Sequence, residues 1–254
     1  MELTGNTILI TGGASGIGLA LAVRFLQTGN KVIVAGRGEE RLKAAQKLHP
    51  KLHTMVCDVS KEQERLELVA RLLKEFPEVN VLVNNAGIQQ RVNLLEANED
   101  WAHYQNEIAI NVEGPIHLSM LLLPQLKKQK KGAVINVSSG LAIRPGAWVP
   151  IYSATKAAIH SFTQSLRLQL SETDVTVIEI LPPAVNTDLG GAGVHQSGAP
   201  LDEFTDEVFE RLRQGDLEIG YGDSEKRLHL SGKETDLGAK EAWENFKKNN
   251  SDFQ

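Results

Sequence analysis

The stretch Thr7–Gly18, TILITGGASGIG, decides the fold. Its first half is a short β-rich apolar run that ends in glycine. Its second half opens a segment over 15–28 in which Ile17, Leu21, Phe25 and Leu26 fall toward one side of a helix. Glycines between a strand and a helix permit a tight turn and let backbone approach a pyrophosphate. The helix N-terminus then offers unpaired N–H groups to that anion. The spacing of Gly12, Gly16 and Gly18 departs from the common GxGxxG fingerprint, and a plain tight turn uses the same residues. The strand before it and the amphipathic helix after it favour a nucleotide-binding turn, with Gly12, Ser15, Gly16, Ile17 and Gly18 against the ligand.

The rest of the chain repeats this alternation. Lys31 to Ala35, His53 to Cys57, Val79 to Val83, Ala133 to Ser138 and Val175 to Leu181 read as strands. Glu39 to Lys47, Lys61 to Glu75, a long stretch from about Asn98 to Lys128, and Tyr152 to Ser171 read as helices between them. Strands apolar on both faces and separated by helices imply a parallel sheet covered on both sides. The expected fold is α/β: a single-domain, doubly wound, Rossmann-type parallel sheet spanning residues 1–254. Gly190 to Pro200 is rich in glycine and small residues, and a helix at about Leu201 to Gln214 follows it. Together they make a candidate substrate loop at about 188–215. A final helix is expected at about Leu237 to Lys248.

Composition bounds the function classes. Of 254 residues, 41% are apolar and 23% charged, with a net charge of −5, as in ordinary globular proteins. The densest basic run is Lys127, Lys128, Lys130 and Lys131. It ends a predicted helix, where cations meet the negative end of the dipole, so neither nucleic acid nor membrane is expected as a partner. The single cysteine, Cys57, permits no internal disulfide and reads as a buried strand residue. No signal peptide and no bilayer-length apolar run is seen, and a cytoplasmic location is expected. No metal site is expected.

Three further motifs carry chemistry. Asn84-Asn85-Ala86-Gly87 directly follows the fourth strand, where small residues suit close approach of a ligand at the switch point. Asn/Gly turns favour the same residues. Tyr152 and Lys156 lie four apart on a helix, so phenol and ammonium share a face. A free tyrosine, with a pKa of ~10, is a poor acid/base at neutral pH, and a nearby ammonium favours its phenolate. Ser138-Ser139-Gly140 closes the fifth strand, where a hydroxyl can donate to a carbonyl oxygen as charge develops, or simply cap a turn.

Taken in order, TGGASGIG, NNAG, Ser139 and Tyr152-x-x-x-Lys156 resemble the short-chain dehydrogenase/reductase family from about Thr7 to Thr187. The resemblance implies a hydride moved between a nicotinamide and a carbonyl or alcohol. Tyr152 would be the general acid/base, and Lys156 would lower its pKa and hold the nicotinamide ribose. Ser139, at the family's usual distance before the tyrosine, would orient the carbonyl. Asn111 matches the position that holds a relay water. Asn85, Ala86 and Gly87 would border the cofactor, and Asp58-Val59 resembles the adenine-contacting pair. Asp58 also suits an N-cap of the following helix. Where NAD enzymes place an acidic residue at the second strand's end, Gly36 stands here and Arg37 follows, which suits a 2′-phosphate and predicts NADPH over NADH.

One segment departs from the family. Leu181-Pro182-Pro183-Ala184-Val185-Asn186-Thr187 has Pro183 where the family has glycine, which fixes φ and stiffens the loop. Val185 and Thr187 are retained, and with Pro182 are expected at the carboxamide. SSGLA, PPAVNT and the Lys-rich helix end look similar to a bacterial subgroup found with D-alanyl lipoteichoic acid genes.

Leu141, Ile143, Trp148 and Gln89 are the expected substrate contacts, forming an apolar pocket for an uncharged ketone or aldehyde. Trp148 could equally pack under the loop. Apolar Ala157, Ala158, Ile159 and Phe162 occupy several faces of the Tyr152 helix, and a homodimer or homotetramer is expected. The alternatives are a non-enzymatic NADP(H)-sensing protein on the same fold, and an epimerase or dehydratase with the same cofactor.

Overall fold

The computed structural model describes residues 1–250 and Phe253 of the chain. Strand β1 (Thr7–Thr11) leads through the glycine turn into helix α1 (Gly16–Gln27). Then come β2 (Lys31–Gly36), α2 (Glu39–Leu48), β3 (His53–Val56), α3 (Glu62–Glu75) and β4 (Val81–Asn84). Helices α4 (Trp101–Ile108) and α5 (Gly114–Leu126) precede β5 (Ala133–Val137), α6 (Pro150–Gln169) and β6 (Thr176–Leu181). The chain ends with α7 (Leu201–Gln214), β7 (Glu218–Gly220), α8 (Asp223–Arg227) and α9 (Gly232–Lys248).

The seven strands form one sheet in the order β3-β2-β1-β4-β5-β6-β7, every pairing parallel. Alternation along the strands divides the core into two layers. Ile8, Ile10, Val32 and Val34 pack with Phe25, Leu42 and Val208 on one face, under α1, α2 and α7. Leu9, Ile33 and Leu82 pack with Leu68, Leu118 and Leu166 on the other, under α3, α5 and α6. Strands buried on both faces are why the sequence shows apolar runs rather than alternation. The order reverses between β1 and β4, so their carboxyl ends open a crevice at the switch point.

Three differences from the sequence expectations matter. β7 goes unannounced because three residues carry too little pattern to read. α9 begins earlier than Leu237, where Ser231 accepts from Glu234 N–H and Glu234 returns the bond, a capping box. The long helix from Asn98 to Lys128 is not continuous, because a π-helical turn, Ala109–Glu113, separates α4 from α5. Pro115 explains it. Its missing N–H cannot donate to the carbonyl of Asn111 four residues back, so the α ladder fails at that point.

Among the described residues, no helix is long and apolar enough to cross a membrane. Cys57 is buried just past β3, and burial pushes its thiol up to about 12, so it is inert at neutral pH.

Candidate active site

A cleft of about 1140 Å³ runs across the carboxyl ends of the central strands. At one end lies the glycine turn. Gly12 has φ +65, and a Cβ there would stand 2.9 Å from Ala86 Cα, so glycine alone fits between this turn and β4. A Cβ on Gly18 would meet Gly12 O at 2.4 Å; Gly18 lets α1 pack under the turn and does not itself face the cleft. Ser15 precedes α1 without a side-chain cap bond, which leaves the first-turn amides open. Gly12, Ser15, Gly16 and Ile17 line the cleft. This open helix end, under a turn that any Cβ would fill, fits a pyrophosphate.

The Asn85 motif has a structural task as well. Asn85 Nδ2 donates to Thr11 O at 3.0 Å and Gly12 O at 3.2 Å. The amides of Asn85 and Ala86 both donate to Thr11 Oγ1 at 3.1 Å. These bonds lock the two strand ends together, and Asn85, Ala86 and Gly87 border the cleft beside them.

At the far end of the turn, Arg37 is exposed and lines the cleft, and Arg41, one helical turn later, joins it. Asp58 and Val59 line the cleft nearby. Asp58 is not the α3 cap, which falls at Lys61. Its Oδ1 instead accepts from Ser60 N at 3.0 Å and Ser60 Oγ at 2.7 Å, an Asx turn. Burial raises its pKa, but those bonds with Lys61 and Arg37 outweigh this and hold it below the usual carboxylate value.

The reacting end is assembled by β5 and α6. Tyr152 and Lys156 face the cleft from one side of α6, both buried. Lys156 Nζ donates to Val137 O at 2.9 Å and sits 5.5 Å from the Tyr152 ring centroid. Burial pulls the ammonium down to about 8 against the opposing pull of Glu107 and Glu179. Burial also raises the phenol of Tyr152; Ser139 opposes that rise and Glu107 adds to it. The expected lowering of Tyr152 by Lys156 is therefore absent in the free chain, because desolvation dominates and the ammonium is spent on Val137. The phenol is held neutral, with its proton on Oη.

Ser139 caps a 3-10 turn, Gly140–Ala142, its Oγ accepting from Leu141 N at 3.1 Å. The cap does not preclude the expected chemical role, since the accepted bond leaves the hydroxyl proton to donate. Ser138 cannot do the same, because its proton goes to the buried Glu179, which also holds His160 at 2.8 Å. Asn111 lies within the π turn, outside the cleft wall. It donates to Ile88 O at 2.9 Å and Thr155 Oγ1 at 3.1 Å and accepts from Ile88 N at 2.9 Å. A Cβ on Gly87 would lie 3.4 Å from Asn111 Oδ1 and 3.5 Å from Lys156 Nζ, which places Gly87 against both groups.

Pro182, Pro183, Val185 and Thr187 line the cleft opposite. Despite Pro183 the segment has a defined path. Pro182 O accepts from Gly140 N at 2.9 Å, and Val185 bridges Ala199, closing the loop at its base. Thr187 Cγ2 lies 3.5 Å from where Gly16 would carry a Cβ. Of the expected substrate contacts, Leu141, Trp148 and Gln89 line the cleft and Ile143 does not, since it falls beyond the 3-10 turn. Trp148 also stacks on Phe246 of α9 at 4.8 Å, so it both borders the cleft and packs beneath α9.

Sequence reading missed three groups here. His195 lines the cleft and meets Gln89 Oε1 at 3.1 Å. Arg227 of α8 lines it too. Glu107 is fully buried one turn before Asn111; its Oε1 accepts from Gln90 N at 3.1 Å, and its Oε2 has no hydrogen-bond partner among the described residues. Spacing from Asn111 could have flagged Glu107; nothing local marks the other two.

The comparisons agree with this geometry. The short chain dehydrogenase family profile matches residues 6–211. The Bacillus subtilis (strain 168) protein named "Uncharacterized oxidoreductase DltE" is 45% identical over 224 residues, covering 86% of this chain and 89% of its own. That likeness bears out the subgroup read from SSGLA and PPAVNT. A short chain dehydrogenase from Burkholderia cenocepacia J2315, solved with NADP, superposes with TM-score 0.81 at 28% identity, covering 94% of this chain and 98% of that one. A 3-ketoacyl-(acyl-carrier-protein) reductase from Brucella melitensis, solved with NADH, superposes with TM-score 0.78 at 26% identity, covering 88% and 100%. A switch-point crevice with an open phosphate turn, a buried Tyr152–Lys156 pair and these likenesses converge: the chain belongs to the short-chain dehydrogenase family of oxidoreductases.

Proposed function

We propose that this protein is an NADP(H)-dependent oxidoreductase acting on a carbonyl or alcohol, with Tyr152 as general acid/base. The observation that carries it is a buried, neutral Tyr152 phenol beside Lys156, in one cleft with the open phosphate turn. When bound, the nicotinamide supplies or takes the hydride. Ser139, its acceptor side occupied by Leu141 N–H, donates its proton to the carbonyl oxygen and fixes the substrate's orientation. Tyr152 Oη delivers the proton to that same oxygen in reduction and removes it in oxidation. Lys156, beside the phenol, holds the nicotinamide ribose, and Asn111 holds the loop at Ile88 that borders them. Gly12, Ser15, Gly16, Ile17 and the strand-end motif Asn85, Ala86 and Gly87 bind the dinucleotide.

Arg37, with Arg41 beside it and no acidic residue at the end of β2, supports a 2′-phosphate and hence NADPH. We treat residues 1–254 as one catalytic unit in the cytoplasm, with a substrate loop at about 188–215 and a homodimer or homotetramer as its assembly.

Tyr152→Phe tests the reading. Turnover of NADPH against a ketone and aldehyde panel should fall by about a thousandfold or more while NADPH still binds. Near-wild-type turnover would sink the assignment. Arg37→Ala should cut the preference for NADPH over NADH by about tenfold or more, from one lost charge-assisted contact. An unchanged ratio in steady-state kinetics would refute the phosphate argument.

A further inference from the structure

The cleft carries a cation that the hydride-transfer scheme does not use. Arg227 lines the cleft with its side chain only 16% exposed. Its Nη1 lies 3.5 Å from the point where Gly140, next to Ser139, would carry a Cβ. The guanidinium thus stands beside the residue that orients the carbonyl. Its Nε and Nη2 both donate to Asp223 Oδ2. Arg144 Nη2 donates to that same oxygen at 3.1 Å. Two guanidinium charges therefore share one carboxylate, and about one positive charge is left over.

The hydrogen bonding is incomplete in the same sense. A guanidinium has five N–H donors in a fixed fork. Nε and Nη2 of Arg227 are engaged, and Nη1 makes no hydrogen bond among the described residues. Burial, only partly offset by Asp223, joins the like charge of Arg144 in holding this guanidinium below the usual arginine value. A partly buried, under-compensated cation costs free energy that an anion would relieve. The neighbouring walls do not compensate it. Leu141 and Trp148 are apolar, and burial keeps the imidazole of His195 below its usual pKa. Asp188, an acidic residue of the loop that also lines the cleft, is exposed to solvent.

We propose that the substrate bears an anionic group, carboxylate or phosphate, received by the Nη1 edge of Arg227 while its carbonyl lies between Ser139 and Tyr152. The carbonyl's place rests on the oxidoreductase reading; the anion site does not. This revises the expectation of an uncharged ketone, which was drawn from Leu141, Ile143 and Trp148 alone. Arg227 stands far along the chain from those residues, and α8 brings it back to the 3-10 turn.

Isothermal titration calorimetry on the full chain saturated with NADP⁺ tests this with two matched pairs: levulinate against methyl levulinate, and dihydroxyacetone phosphate against dihydroxyacetone. The anionic member of at least one pair should bind about tenfold or more tightly than its neutral mate. The pair that shows it tells carboxylate from phosphate. Arg227→Gln should abolish the preference and Arg227→Lys retain part of it. Asp223→Asn, which frees Arg227 from its carboxylate, should enlarge it, whereas a purely structural ion pair predicts no gain. Equal binding of both members to the wild type, a preference that survives Arg227→Gln, or no binding of any of the four would overturn the proposal. An anion preference without NADPH oxidation on any ketone would defeat the oxidoreductase reading and leave the anion site standing.

Discussion

At the scale of single residues, the site is governed by desolvation. Tyr152, Lys156 and Glu107 are all buried, and burial is the largest influence on each. It pushes Glu107 up to about 7 against the Gln90 hydrogen bond and Lys156, and pulls Lys156 down to about 8. The two act on stability in opposite pH ranges. An unfolded glutamate loses its proton near its ordinary value of 4.5, while the folded one keeps it to about 7. Stability from Glu107 is therefore complete below pH 4.5 and is lost as pH rises through 7, up to about 3 kcal/mol. For Lys156 the folded form sheds its proton first, so its contribution is complete above 10.5 and is lost as pH falls through 8. Glu107→Gln removes the Glu107 contribution, and with it the Glu107 charge that acts on Lys156 and Tyr152. Its melting temperature relative to wild type should rise between pH 5 and pH 8, by several degrees at the upper end. A difference that stays flat across that range in thermal unfolding would show that Glu107 does not carry a raised pKa.

At the scale of elements, the interruption between α4 and α5 is the feature that the sequence pattern hid. Helical periodicity runs through Asn98 to Lys128 past the Gly114-Pro115 pair that marks the break, and a π turn keeps that periodicity nearly intact. The cause was legible in one residue, Pro115, but a proline in the first turn of a helix is equally at home. The strands around the crevice were legible because both faces are buried and their residues are apolar throughout. The glycine turn and the Tyr152–Lys156 pair were legible for a local reason, that each pattern lies within one short stretch of chain. His195 and Arg227 reach the cleft across the fold and left no local mark, whereas Glu107 was marked only by its spacing from Asn111. Ile143 was misplaced because the 3-10 turn after Ser139 leaves it outside the cleft wall. Pro115 also yields a test. In Pro115→Ala the restored N–H can donate to the Asn111 carbonyl and favour a continuous α ladder. That would rotate Asn111 away from Ile88 and Thr155. Turnover should drop about tenfold, equivalent to ~1.4 kcal/mol, with NADPH affinity unchanged. Equal loss in both measurements would instead indicate general damage to the fold.

At the scale of the whole molecule, the two faces of the sheet are not equally finished. Over the face of α1, α2 and α7, Arg24 ties α1 to Asp206 of α7 at 2.7 Å and to Asp202 at 3.1 Å. Polar partners close the seam between α1 and α7. On the other face, α5 exposes Met120 at 62% and α6 exposes Leu168 at 76%. Ala154, Ala157, Ala158 and Ser161 of α6 are also exposed, while Ile159 is buried and Phe162 half-buried against the sheet. Small residues flanked by large apolar ones let another helix approach closely, and apolar side chains left in water favour association. A second copy meeting this face would bury Met120 and Leu168 without touching the cleft, which opens at the strands' carboxyl ends. Light scattering at micromolar concentration should therefore give two or four times the 27.8 kDa chain mass. The double variant Met120→Glu, Leu168→Glu should give one, because a carboxylate desolvated in an apolar interface costs several kcal/mol. Its NADPH affinity should stay at the wild-type value, since neither residue lines the cleft. A monomeric wild type, or an assembly that survives both glutamates, would place the interface elsewhere.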